Sequence, residues 1–202
     1  MEHSYLHKLT GESQGEFKDR GSKFFSYAWP VENQEEIDAK LTATRKKYHD
    51  ARHVCYAYRL GIQGETVYAQ DDGEPSHSAG DPILGAIRSA ELTWTLVAVV
   101  RYFGGTKLGI RGLIEAYRTA AEVALEANQK EAIIPRVRFS LTFGYPQTSQ
   151  INKLLHPFPV EIIESRFTET CYQRFQIEAS QYPSLEQHFQ QQGIRLEEVE
   201  RD

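Results

Sequence analysis

The sequence predicts an α+β protein in two domains, residues 1–135 and 136–202. Three observations predict it. Short runs rich in aromatic and β-branched residues alternate with segments whose apolar residues recur every three or four positions. The chain changes character at Ile133-Ile134-Pro135-Arg136. Beyond that point a unit of strand, helix and strand occurs twice. At 202 residues and 40% hydrophobic content the chain can bury a core.

In the first domain, Gly15 to Val31 reads as a hairpin, with EFK and KFFSYAWPV flanking the polar turn Asp19-Arg20-Gly21-Ser22. Asn33 followed by Glu36 resembles a capping box, and QEEIDAKLTATRKKYH continues at helical spacing to a basic last turn. Next come the strand HVCYAYRL, a shorter strand around ETVYAQ and an acidic turn from Asp71 to Glu74. Asp81-Pro82 opens a helix to about Glu91, which Ser76, Ser78 or Asp81 can cap. TWTLVAVVRYF is apolar almost throughout, the pattern of a strand covered on both faces. After a glycine loop, Leu113, Tyr117, Ala120, Ala121 and Ala124 mark the buried face of a long helix.

In the second domain VRFSLTFGY is a strand and Pro146 opens a helix through Leu155. VEIIESRF and CYQRFQIEAS form a hairpin, Pro183 opens a last helix that Gly193 stops, and IRLEEVE closes as a strand. This βαββαβ order is the ferredoxin-like split motif. Nine acidic residues against six basic ones from residue 137 onward make this domain a poor electrostatic match to naked RNA.

Composition removes several classes of function. The longest aliphatic run, Leu96 to Val100, is far short of a bilayer span, and the polar N-terminus has no apolar signal region. The two cysteines, Cys55 and Cys171, fit neither a disulfide framework nor metal-ligand spacing, so a reducing cytoplasm is the expected compartment. A net charge of −5 argues against indiscriminate nucleic-acid binding, so any such contact needs a local basic patch.

That patch is sought in the loop Phe103-Gly104-Gly105-Thr106-Lys107-Leu108-Gly109, where a strand meets a helix and backbone amides can hold an anion. The loop matches neither the Walker A frame nor GxGxxG. Arg101, Gly104, Gly105, Lys107 and Arg111 are the candidate anion- or RNA-binding residues, with Lys23 and Arg52 as additions. The plain alternative is a tight turn with solvated charges; Arg111 can also pair with Glu115 one helical turn on. A second constellation is a polar cleft of His53, Asp71, Asp72, Glu74 and Ser76. Its three carboxylates suit a hard cation or simply a turn, and no recognised metal spacing accompanies them. His53 and Cys55 share a strand face about 6.6 Å apart, too far for a ready thiolate-imidazole pair. No catalytic residue, metal or cofactor is assigned.

RGSKF at 20–24, ARHVCYAYRLG at 51–61, DDGEPS at 71–76, AGDPIL at 79–84 and VVRYFGGTKLG at 99–109 together closely resemble the IMPACT/YigZ family. The resemblance covers the first domain, and the second resembles the small domain that bacterial members append. It implies a first domain like the second domain of a small-subunit ribosomal protein and like elongation factor G domain IV. The second is then similar to domain V of that factor. Both comparisons imply a setting in translation, and eukaryotic relatives are linked to control of a starvation-responsive kinase acting on initiation. His77-Ser78 and Arg111 depart from the small residues that family members commonly carry there. The expected function is a cytosolic regulatory or accessory protein of translation, binding RNA or a ribosome-associated partner through the glycine loop. The alternatives are a hydrolase acting on a phosphorylated or peptide-like substrate between DDGEPS and FGGTKLG, and a protein-binding module that takes no nucleic acid.

Overall fold

The computed structural model describes residues 5–201. The first four residues of the polar N-terminus and Asp202 of the acidic end lie outside the described residues. The fold is mixed α+β with antiparallel sheets, in two compact units that divide between Ile133 and Ile134.

The first unit is built on five antiparallel strands. β2 (Ser13–Asp19) and β3 (Ser22–Pro30) form the hairpin, and Arg20 and Gly21 both take left-handed backbone angles, as a two-residue hairpin turn requires. β4 (His53–Leu60), β5 (Thr66–Gln70) and β6 (Thr95–Tyr102) complete a sheet of order β2-β3-β6-β4-β5. The central strand is β6, and Leu96 to Val100 are fully buried because helices cover both faces.

α1 (Gln34–Lys47) covers one face, setting Ile37 and Leu41 against Trp29, Val31, Leu96 and Ala98. Its start follows the sequence signal: Glu36 N–H donates to Asn33 Oδ1, and Glu32 N–H donates to Glu36 Oε2. α2 (Gly80–Ser89) and α3 (Gly109–Glu126) cover the other face. Ile83, Ile87, Leu113, Tyr117, Ala120 and Ala124 pack there against Phe24, Ala28, Cys55, Val97 and Val99.

Two features depart from the sequence expectation. The cap of α2 is Asp71, not Ser76, Ser78 or Asp81: Asp71 Oδ1 accepts from Ala79 N–H at 2.9 Å and Gly80 N–H at 2.8 Å. Ser78 instead donates its hydroxyl to Pro75 O, and Asp81 meets His77. The second departure is a small antiparallel pair, β1 (His7–Leu9) with β7 (Lys130–Ala132), unsuspected from sequence.

The second unit runs β8 (Arg136–Phe143), α4 (Thr148–Leu155), β9 (Glu161–Phe167), β10 (Cys171–Glu178), α5 (Tyr182–Gln190) and β11 (Glu197–Arg201). Its antiparallel sheet has the order β11-β8-β10-β9. Both helices pack on one sheet face, where Phe139, Phe175, Ile151, Leu185 and Phe189 form the core. Pro146 sits in a single 3-10 turn, Tyr145–Gln147, that leads into α4.

Candidate functional site

The acidic turn follows β5 directly. Asp72 and Gly73 lie consecutively in the left-handed region, which turns the chain so that its three carboxylates face three different partners. Burial pushes the Asp71 carboxyl upward, but backbone N–H groups of Gly80, Ala79 and His77 outweigh it and hold the group below the usual carboxylate range. Asp72 is likewise opposed by burial yet lowered, because Arg45 lies 2.9 Å from Oδ1 and Val54 N–H donates to Oδ2 at 2.7 Å.

Glu74 turns inward. Its Oε1 lies 2.6 Å from Arg101 Nη1 and accepts the Tyr117 hydroxyl at 2.8 Å. The side chains of Arg101 and Glu74 are 8% and 5% exposed, so this ion pair is a core element joining the turn, β6 and α3. The parity of β6 explains it, because residue 101 shares the face of Val97 and Val99 under α2 and α3. Arg101 therefore meets Glu74 rather than open solvent, while its Nε has no hydrogen-bond partner among the described residues.

The glycine loop links β6 to α3. Gly104 is where its glycine is required: a Cβ there would stand 1.8 Å from the carbonyl carbon of Gly21. Gly104 thus packs directly on the β2-β3 turn, and its N–H donates to Ser22 Oγ at 3.2 Å. Gly105, with φ of 89°, faces open space.

α3 starts after Leu108 without a side-chain cap, and its first turn contains no acidic residue. The N–H groups of that turn and the helix dipole therefore remain available to an anion. Lys107 and Arg111 are exposed beside them, and among the described residues neither makes an ion pair. A cavity of about 340 Å³ lies at this point, lined by Glu74, Arg101, Phe103, Lys107 and the first residues of α3.

Lys23 is exposed on β3, opposite Tyr102, and lines a separate cleft; Arg52, exposed before β4, lines neither. The polar-cleft residues do not converge. Of the five, Glu74 alone lines the 340 Å³ cavity, and Ser76 is exposed. His53 Nδ1 bonds to Asp72 O at 2.8 Å, whereas the Cys55 thiol donates to Asp71 O. Burial pushes the Cys55 thiol well up, which keeps it protonated and poorly nucleophilic. The carboxylates a hydrolase would use are spent on α2, Arg45 and Arg101, whereas the first turn of α3 offers its donors outward.

Sequence reasoning overlooked the surface formed by Phe25, Tyr48 and Tyr102 beside Lys23. Its signal was present in β3, where Lys23, Phe25, Tyr27 and Trp29 alternate onto one face.

A family model described as the Impact N-terminal domain matches residues 20–125, which contain the hairpin turn, the acidic turn and the glycine loop. An IMPACT family member of Thermus thermophilus is 38% identical over 149 residues, 73% of this chain and 79% of that protein. Another, from Haemophilus influenzae, is 32% identical over 148 residues, 72% of each chain. A solved crystal structure of a protein described as hypothetical shares the fold at a TM-score of 0.62, with 24% identity, covering 96% of this chain and 97% of that one. With the match spanning more than half its length and all five motifs of the resemblance inside it, the chain belongs to the IMPACT family.

Proposed function

We propose that the chain is a cytosolic accessory protein of translation that binds RNA, free or on a ribosome-associated partner, through the glycine-loop face of residues 1–135. One observation carries the reading: the uncapped start of α3 presents backbone donors beside the exposed Lys107 and Arg111, which make no ion pair among the described residues. A phosphate there gains the helix dipole and two cations without displacing an existing partner. The setting in translation rests on family membership and on the expectation, implied by the family resemblance, that the two domains are similar to elongation factor G domains IV and V. Residues 136–202 act in this reading as a supporting or protein-contacting unit, consistent with their acidic balance.

The test is binding of a short RNA across a salt series by the full chain and by Lys107→Ala/Arg111→Ala. The double variant should bind every sequence more weakly. Its log-log salt slope should be shallower by about 1.4, at about 0.7 per phosphate contact on a single strand. Equal affinity and equal slope would remove Lys107 and Arg111 from the interface.

A further inference from the structure

The face of the sheet covered by α1 is not covered along its whole length. α1 ends at Lys47, and its apolar contacts reach Trp29, Leu96 and Ala98, whereas the aromatic row on that face continues to Phe25 and Tyr102. The uncovered end forms a cleft of about 440 Å³ lined by Gly21, Lys23, Phe25, Tyr48, Tyr102 and Phe103. Its rings are held in place by one another. Phe25 stacks on Tyr48 at 5.8 Å and meets Tyr102 edge-on at 6.0 Å, and the Tyr102 hydroxyl donates to Asp50 at 2.6 Å. Lys47 Nζ lies 5.2 Å from the Tyr48 ring centroid, and Lys23 is exposed at the cleft wall.

Phe103 links this cleft to the anion cavity, because it lines both. The ring is 58% exposed, and the Arg101 guanidinium lies 5.7 Å from its centroid. Rigid aromatic rings flanked by lysines, one step from a helix N-terminus, are what an unpaired base and its phosphate require. A duplex cannot use them, since its bases are stacked and its backbone alone reaches the surface.

We infer that this cleft is a stacking site for a base of single-stranded RNA, with Phe103 between the base and the phosphate seated at the start of α3. The inference rests on the phosphate reading above and adds the class of nucleic acid. Phe103 is the residue to change, because its exposure lets the ring be removed without opening the core.

The experiment is fluorescence anisotropy with the full chain and three labelled probes: a twelve-residue oligouridylate, an abasic oligomer of equal charge, and a duplex of equal length. Oligouridylate should bind at least about tenfold more tightly than the abasic oligomer, in line with alanine-scanning values for base stacking. Phe103→Ala should abolish that difference, and Phe103→Trp should preserve it. Equal binding of the base-bearing and abasic strands, or a Phe103→Ala variant that retains the difference, overturns the stacking site. Those outcomes leave the phosphate reading intact if Lys107→Ala/Arg111→Ala still weakens every probe. Tightest binding of the duplex overturns the stacking site in favour of backbone contact alone, and no binding of any probe at low salt overturns both.

Discussion

Replacing Glu74 by glutamine tests whether the acidic turn holds the first unit together. The change keeps the shape of the side chain and removes its charge, leaving the Arg101 guanidinium in a site where its side chain is 8% exposed. The glutamine keeps a neutral carbonyl oxygen that can accept from Arg101, but among the described residues the guanidinium then has only neutral partners, this oxygen and Ser22 Oγ at 3.5 Å from Nη2. Removing one member of a buried ion pair costs about 3–5 kcal/mol, since the remaining charge keeps its desolvation penalty and loses its partner. For a unit of this size that lowers Tm by about 10–20 °C. Both tryptophans, Trp29 and Trp94, lie in the first unit, so tryptophan fluorescence during urea titration follows that unit selectively. The double variant Glu74→Gln/Arg101→Met removes both charges at similar volume and should regain at least half of the loss. A single-variant cost below about 1 kcal/mol, or a double variant no more stable than the single, would refute the reasoning.

Gly104→Ala should destabilise the first unit by about 3 kcal/mol, because its Cβ must push the β2-β3 turn away. Gly105→Ala, strained but in open space, should cost about 1 kcal/mol, and equal costs in urea titration would deny the close packing. Asp71 has a folded-state pKa below its unfolded value, so its stabilisation is fully present above about pH 4 and disappears as pH falls through the folded pKa. Asp71→Asn should therefore lose about 2 kcal/mol at pH 7, with the gap to the parent narrowing by pH 3; a pH-independent gap would count against the charge. Cys55 and Cys171 are both buried, so Ellman's reagent at pH 8 should find neither thiol quickly in the native chain and both in denaturant. Rapid native reaction at Cys55 would contradict its protonated, enclosed state.

The elements that sequence periodicity revealed are those whose own residues carry the signal. α1 announced itself through Asn33 and Glu36, and β6 through an unbroken apolar run. β1 and β7 stayed hidden because three-residue strands have no periodicity to read. They are held by backbone bonds to distant segments, such as His7 N–H to Glu91 O and Thr10 N–H to Gln129 O. The same limit governs the site. The exposed position of Lys107 and Arg111 at the start of α3 was legible because a glycine loop before a helix fixes their surroundings locally. Glu74 and Arg101 meet across 27 residues, and only the packing of the turn over β6 brings them together. The parity of Val97, Val99 and Arg101 already pointed that arginine inward, but its partner was not readable. In β3 the alternation of Lys23, Phe25, Tyr27 and Trp29 was visible too, yet nothing local says that α1 stops before covering Phe25.

The acidic turn and the glycine loop therefore divide the work between them. DDGEPS spends its carboxylates internally: Asp71 holds the start of α2, Asp72 ties β4 to α1 through Val54 and Arg45, and Glu74 fixes Arg101 and Tyr117. Because Glu74 neutralises Arg101 inside the fold, the strand can end beside the glycine loop without an uncompensated buried charge. The loop is anchored by Gly104 against Gly21, and the cations left at its surface are Lys107 and Arg111. An acidic turn paired inside the fold beside an exposed basic rim is how a chain of net charge −5 can carry the anion site proposed above. It also separates the two kinds of variant: changes in DDGEPS should lower stability before they alter ligand binding, whereas changes at Lys107 and Arg111 should do the reverse.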